Sequence, residues 1–209
     1  MRVLLLFPPN SLFENYSELI RELKSKEIRV DLKFLLKDAS SYDIIMLFYR
    51  EPFKPEYPLL DDFLSSGGKV IYHFPNPNAL FKEFYLYSEK FSKWLSEKGF
   101  TIKDYLRVYD DKNNIGDRRK LLVKTESFGT VHIQTPYHIW HDKTGRKILS
   151  GNDSSYTISI NDLYGNVLGK EICMCASVNN FTVISGVVFS NSGMLFQGNK
   201  KLLSRVIYD

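Results

Sequence analysis

Two stretches of the chain are apolar without interruption, Val3 to Phe7 and Ile44 to Phe48, and Lys69 to Phe74 is nearly so. A strand with one wet face alternates. Unbroken runs of this length predict strands covered on both faces, as in a parallel sheet flanked by helices. Pro8-Pro9 follows the first run and Pro75-Asn76-Pro77-Asn78 the third. Proline has no amide for a sheet ladder, so both strands end there. The second run stops abruptly at Tyr49-Arg50-Glu51-Pro52. Ile28 to Leu35 behaves differently: Ile28, Val30, Leu32 and Phe34 alternate with Arg29, Asp31 and Lys33. That period predicts a half-exposed strand at a sheet edge.

Helical periodicity fills the gaps. Leu12, Tyr16, Leu19, Ile20 and Leu23 share one face of a helix over Ser11 to Lys26, and Leu59, Leu60, Phe63 and Leu64 share one over Tyr57 to Ser65. Gly67-Gly68 closes the second helix, because glycine takes the left-handed position after a helix without strain. Residues 1–78 thus read strand, helix, strand, strand, helix, strand. With right-handed crossovers this gives an α/β fold with a doubly wound, mainly parallel, flavodoxin-like sheet.

Within 79–99 the spacing predicts a helix from Ser88 to Lys98, with Phe91, Trp94 and Leu95 inward. Residues 100–150 read as short strands and turns, a strand-rich insertion within one domain spanning 1–209. Lys120 to Lys124 and Gly129 to Gln134 are its clearest strands. Tyr156 to Ile160 and Val167 to Val178 flank a hairpin-like connection at Asn161 to Asn166. Asn179-Asn180 turns the chain into the strand Phe181 to Ile184. A loop from Gly186 to Gln197 leads to a closing helix, Gly198 to Tyr208.

Composition adds constraints. In 209 residues, 44% are hydrophobic and 25% charged, which suits one sizeable core and excludes a disordered or fibrous chain. Twenty-eight Lys and Arg against 24 Asp and Glu leave a net charge of +4. This is not the basic stripe of a dedicated nucleic-acid binder. The densest points, Arg118-Arg119-Lys120, Lys143 to Lys147 and Lys200-Lys201, are read as solvated surface clusters, with weak nucleic-acid binding as the alternative. No stretch is long and apolar enough to span a membrane, and the N-terminal run is too short for a signal-peptide core. A soluble, cytoplasmic protein is expected. Cys173 and Cys175, spaced C-x-C on a strand, are expected to point to one face as free, buried thiols.

The run Leu60 to Tyr72, a helix, Gly67-Gly68 and a strand, resembles a segment of class I glutamine amidotransferase-like domains. The C-terminal run is more informative: Phe181-Thr182-Val183-Ile184-Ser185-Gly186, then Phe189-Ser190-Asn191, then Gly198-Asn199-Lys200-Lys201-Leu202-Leu203. It resembles the ending of the DUF4350 and GIFT-type branch of that superfamily. That branch includes gliding-motility, intraflagellar-transport and ABC-transport-associated domains. The resemblance covers roughly residues 1–78 and 155–209. It implies a module of a larger assembly. Gly186-Val187-Val188 stands where that branch carries an acidic turn residue.

Enzymes of the parent superfamily place a cysteine on a sharp turn after a central strand, with backbone amides to stabilise the oxyanion. Here His73-Phe74-Pro75-Asn76 stands after Tyr72, and no G-x-S-x-G or G-x-C-x-G motif occurs anywhere. The parent activity is therefore not expected. No nucleotide or metal fingerprint occurs either, and no cofactor is expected. In doubly wound sheets ligands lie outside the carboxyl ends of the strands. Those ends carry Asn10, Arg50, Glu51, His73, Asn76, Ser190 and Asn191, the expected ligand-binding set for a small polar molecule. Arg50 and Glu51 have an alternative, pairing with each other at the surface. His73 also reads as a strand-end histidine bonded to a loop. His132, His138, His141 and Asp142 fall in one segment and could supply a zinc-dependent hydrolase; a surface loop with unrelated histidines is the preferred reading. Phe74, Phe81, Phe84, Tyr85, Tyr87, Phe91 and Trp94 crowd one region, which reads mainly as core with an exposed remainder for a protein partner.

Overall fold

The computed structural model describes residues 1–9, 11–74, 88–101, 106–158 and 166–209. The apolar runs form the strands they predict: β1 (Arg2–Leu6), β3 (Ile44–Phe48) and β4 (Lys69–His73), with β2 (Arg29–Lys33) half-exposed at one edge. Later strands are β5 (Phe100–Thr101), β6 (Arg107–Asp110), β7 (Lys120–Thr125), β8 (Gly129–Gln134), β9 (Trp140–His141), β10 (Arg146–Ser150), β11 (Ser155–Ile158), β12 (Cys173–Val178) and β13 (Phe181–Ile184). The helices are α1 (Ser17–Ser25), α2 (Glu56–Ser65), α3 (Glu89–Glu97), α4 (Asn191–Met194) and α5 (Gln197–Tyr208).

Seven strands make the central sheet in the order β10-β12-β13-β4-β3-β1-β2. β2, β1, β3, β4 and β13 run parallel; β12 and β10 are antiparallel additions. This is the doubly wound, flavodoxin-like order, and its switch point lies between β1 and β3. Side chains of β1 alternate between the two faces. Val3 and Leu5 enter a core with Leu19 and Leu23 of α1 and Leu202 and Leu203 of α5. Leu4 and Leu6 enter another with Leu60 and Phe63 of α2 and Phe91 and Trp94 of α3. The antiparallel pairs β6–β11 and β7–β8 cover the first face, where Val108, Leu121, Val123, Val131 and Ile133 join the core of Val3.

Some boundaries depart from the sequence reading. Ser11 to Lys26 is not one helix: Phe13–Tyr16 makes a separate 3₁₀ turn before α1. The loop before the last helix contains α4, capped by the Ser190 hydroxyl. The expected strand Val167 to Val178 starts only at Cys173, after a 3₁₀ turn at Gly169–Glu171. Most of its hairpin connection, residues 161–165, lies outside the described residues; its two sides meet at the Tyr156–Leu168 bridge and through Thr157 and Val167, while β11 pairs along its length with β6. Cys173 and Cys175 are free and buried but do not share a face. Cys173 packs with the α2–α3 core, whereas Met174 and Cys175 both pack with the α1–α5 core. The register of β10 against β12 shifts on either side of Leu149, and such a bulge breaks strand alternation.

Two glycines are required by geometry. Gly67 has φ +91°, the left-handed turn that ends α2. Gly198 lets α5 lie directly on β8, since a Cβ there would overlap the Thr130 carbonyl. Gly198→Ala is expected to lower the unfolding free energy by about 1–3 kcal/mol, outweighing alanine's helix preference. Urea unfolding checks it; unchanged or raised stability would mean that this contact is not tight.

Candidate functional site

The carboxyl ends of the parallel strands carry a row of packed rings. Phe7, just past β1, stacks on Phe48 at the end of β3, with centroids 4.5 Å apart. Phe48 stacks on His73 at the end of β4 at 4.2 Å and 6° between planes. His73 meets the edge of Phe189, in the segment after β13, at 5.3 Å. The stack thus runs across the switch point. Phe7, Phe48, His73 and Phe189 are at most 1% exposed. After β13 the chain is tied down as well: Val187 and Gln134 exchange backbone hydrogen bonds of 2.9 and 3.1 Å.

His73 is the unusual member. Neither ring nitrogen has a hydrogen-bond partner among the described residues, and the expected loop bond is not found there. Burial pushes its pKa down to about 3, and the ring is neutral at pH 7. Beside it Tyr49 follows β3 with φ +52°, a strained backbone for a bulky residue. The Tyr49 hydroxyl likewise has no hydrogen-bond partner among the described residues. Burial, with Tyr16 adjacent, pushes it well above its ordinary pKa. A strained residue beside unpartnered buried polar atoms is typical of functional sites, yet a neutral phenol held this way is a poor nucleophile.

The other expected site residues point inward or aside. Arg50 does not pair with the Glu51 carboxylate. Its guanidinium grips Glu56 at the start of α2 with two bonds of 2.6 and 2.8 Å, and donates to the carbonyls of Phe34 and Glu51. Glu56 also accepts from the amides of Leu36 and Phe53. The Glu51 carboxylate instead accepts from the amide and hydroxyl of Ser88, at 2.7 and 2.6 Å, at the start of α3. Asn191 accepts from the Glu18 amide at 3.0 Å and donates to the Glu14 carbonyl at 2.7 Å, tying α4 to α1. Asn10 and Asn76 lie outside the described residues, as do Phe81, Phe84, Tyr85 and Tyr87. Sequence reasoning missed Glu56 and the ring stack. An acidic residue among apolar neighbours at a helix start was the available signal for Glu56.

The histidine segment does not assemble a metal centre. Among the described residues no group of three His, Cys, Asp or Glu side chains could hold a metal ion. Nor is it the expected surface loop. His132 is buried in β8 against Phe196. His138 is buried against Trp140, with Nδ1 accepting from the Cys173 amide, and burial brings its pKa to about 4. His141 is held to the Asp142 carbonyl, and the Asp142 carboxylate closes a turn onto Thr144 and Gly145. Burial pushes the Cys173 thiol up to about 12 and Cys175 well above its usual value. Both thiols stay protonated and inert at neutral pH.

Solved structures share this architecture. The N-terminal domain of mmIFT52 superposes with a TM-score of 0.69 at 11% identity, covering 99% of this chain and 96% of that one. The likeness is one of fold. The exo-beta-1,4-mannosidase Op5Man5 from Opitutaceae bacterium strain TAV5 matches at TM-score 0.57 and 11% identity, over 98% of this chain but 35% of the mannosidase. A glutamine amidotransferase from Thermotoga maritima matches at TM-score 0.49 and 11% identity, over 100% of this chain and 86% of that one. No family model and no curated protein matches the sequence. Among the described residues no helix is long and apolar enough to cross a membrane.

Proposed function

We propose that this chain is a non-catalytic binding module of the amidotransferase-like superfamily, from its DUF4350 and GIFT-type branch, serving a larger assembly. The observation that carries the reading is the stack Phe7–Phe48–His73–Phe189. It fills the place where a doubly wound sheet holds its ligand, and its histidine is neutral and hydrogen-bonds no thiol or hydroxyl among the described residues. The likeness to the mmIFT52 N-terminal domain supports a module of that fold. A protein partner is favoured over a small polar ligand, because Arg50, Glu51 and Asn191 spend their hydrogen bonds inside the fold.

Purified protein incubated with glutamine is expected to release no ammonia above the buffer rate. Sustained turnover, abolished by a cysteine or His73 substitution, would overturn the reading.

A further inference from the structure

Two basic clusters far apart in sequence meet in space. Arg146 and Lys147 from β10, and Lys201 and Arg205 from α5, line a groove of about 590 Å³ with Phe128, Ile148 and Tyr208. Asp209 is the lone acidic side chain in its lining. We propose that this groove docks an acidic, extended segment of a protein partner, which adds as a strand to the free edge of β10.

Three observations converge. The first is charge: Arg146, Lys201 and Arg205 line the groove, with Asp209 as the acidic side chain among the described lining residues. Arg146 and Arg205 keep 52% and 46% of their side chains exposed, so they remain available to a visitor. The second is that the chain demonstrates the chemistry itself. The Asp209 carboxylate sits between Arg205, in direct ion-pair contact, and Arg146 at 3.4 Å. Guanidinium groups bind carboxylates through matched donors, and surface pairs of this kind exchange at little cost. The third is the edge. β10 ends the central sheet and pairs only with β12; no other strand or bridge covers its outer side among the described residues. An open edge offers a row of backbone donors and acceptors, and an added strand also presents alternate side chains to flanking pockets. Lys147 is already oriented by bonds to the Lys170 and Glu171 carbonyls at 2.9 and 3.3 Å.

Nucleic acid fits less well. The third basic cluster does not extend the groove's charge: Arg119 is clamped on Asp117, and Arg118 lies over the Tyr109 ring. Backbone pairing along β10 has no counterpart in a phosphate chain. The inference rests on the binding-module reading and names its partner class. Glutamine turnover is blind to this groove, so the two readings fail separately.

The test is fluorescence anisotropy of the full chain with a labelled peptide of alternating Glu and Val, at low salt. Saturable binding is expected. The double variant Lys201→Glu, Arg205→Glu should weaken it at least about tenfold, with helix content unchanged by circular dichroism. Lys54→Glu, outside the groove, should change it less than about twofold. The same peptide N-methylated at alternate amides keeps its charge but cannot add as a strand, and should bind at least about tenfold more weakly. No binding of the parent peptide, equal binding of the methylated one, indifference to the double variant, or tighter binding of a single-stranded oligonucleotide would each overturn the proposal.

Discussion

Glu56→Ala is expected to lower the unfolding free energy by about 3–5 kcal/mol in chemical denaturation. Glu56 is fully buried and the Arg50 side chain is 8% exposed. One carboxylate receives two guanidinium bonds and two backbone amides, from Leu36 and Phe53. Truncation leaves a buried cation without its counter-ion, held only by the Phe34 and Glu51 carbonyls, and two amides without that acceptor. A buried pair costs desolvation to assemble, so the loss measures the stranded partners rather than the worth of the pair. Replacing both residues, as Arg50→Met with Glu56→Leu, should therefore recover part of the loss. A cost below about 1 kcal/mol for Glu56→Ala would show that the pair is not the lock joining β3, α2 and the segment after β2.

His73→Phe should act in the opposite direction. A phenyl ring keeps the stack between Phe48 and Phe189 and removes two buried nitrogens without partners. The gain at pH 7 should be about 1–3 kcal/mol. It should grow in acid. An unfolded histidine binds its proton near 6.5, whereas folded His73 refuses it until about 3. The stability tied to this neutral ring is complete above 6.5 and falls by about 1.4 kcal/mol per pH unit as pH drops toward 3. Phenylalanine removes that slope, leaving the shares of His138 and His132, whose pKa values burial also lowers. Urea midpoints at pH 7 and pH 5 check this. A less stable variant with an unchanged pH slope would mean that His73 is solvated or bonded.

The sheet was readable because β1 from Val3 onward and all of β3 are apolar on both faces, as a covered strand is. The edge strand β2 declared itself by alternation, and Gly67 marked the end of α2. The site was less readable. Arg50 and Glu51 sit where ligands usually bind, but their partners, Glu56 and Ser88, depend on how α2 and α3 approach, which no local pattern encodes. Arg146 and Lys201 lie on different elements, so their shared groove appears only once α5 lies on β8 and its C-terminal end comes beside β10. Cys175 left its expected face because of a bulge, and bulges have no period to read.

The central claim is that the carboxyl-end crevice is filled and chemically silent. Its most direct measurement is an NMR titration of the His73 imidazole in the intact protein. A filled crevice predicts a neutral ring down to below pH 4, shielded by Phe48 and unreactive toward diethylpyrocarbonate. A ring that titrates near its ordinary value and acylates readily would contradict it.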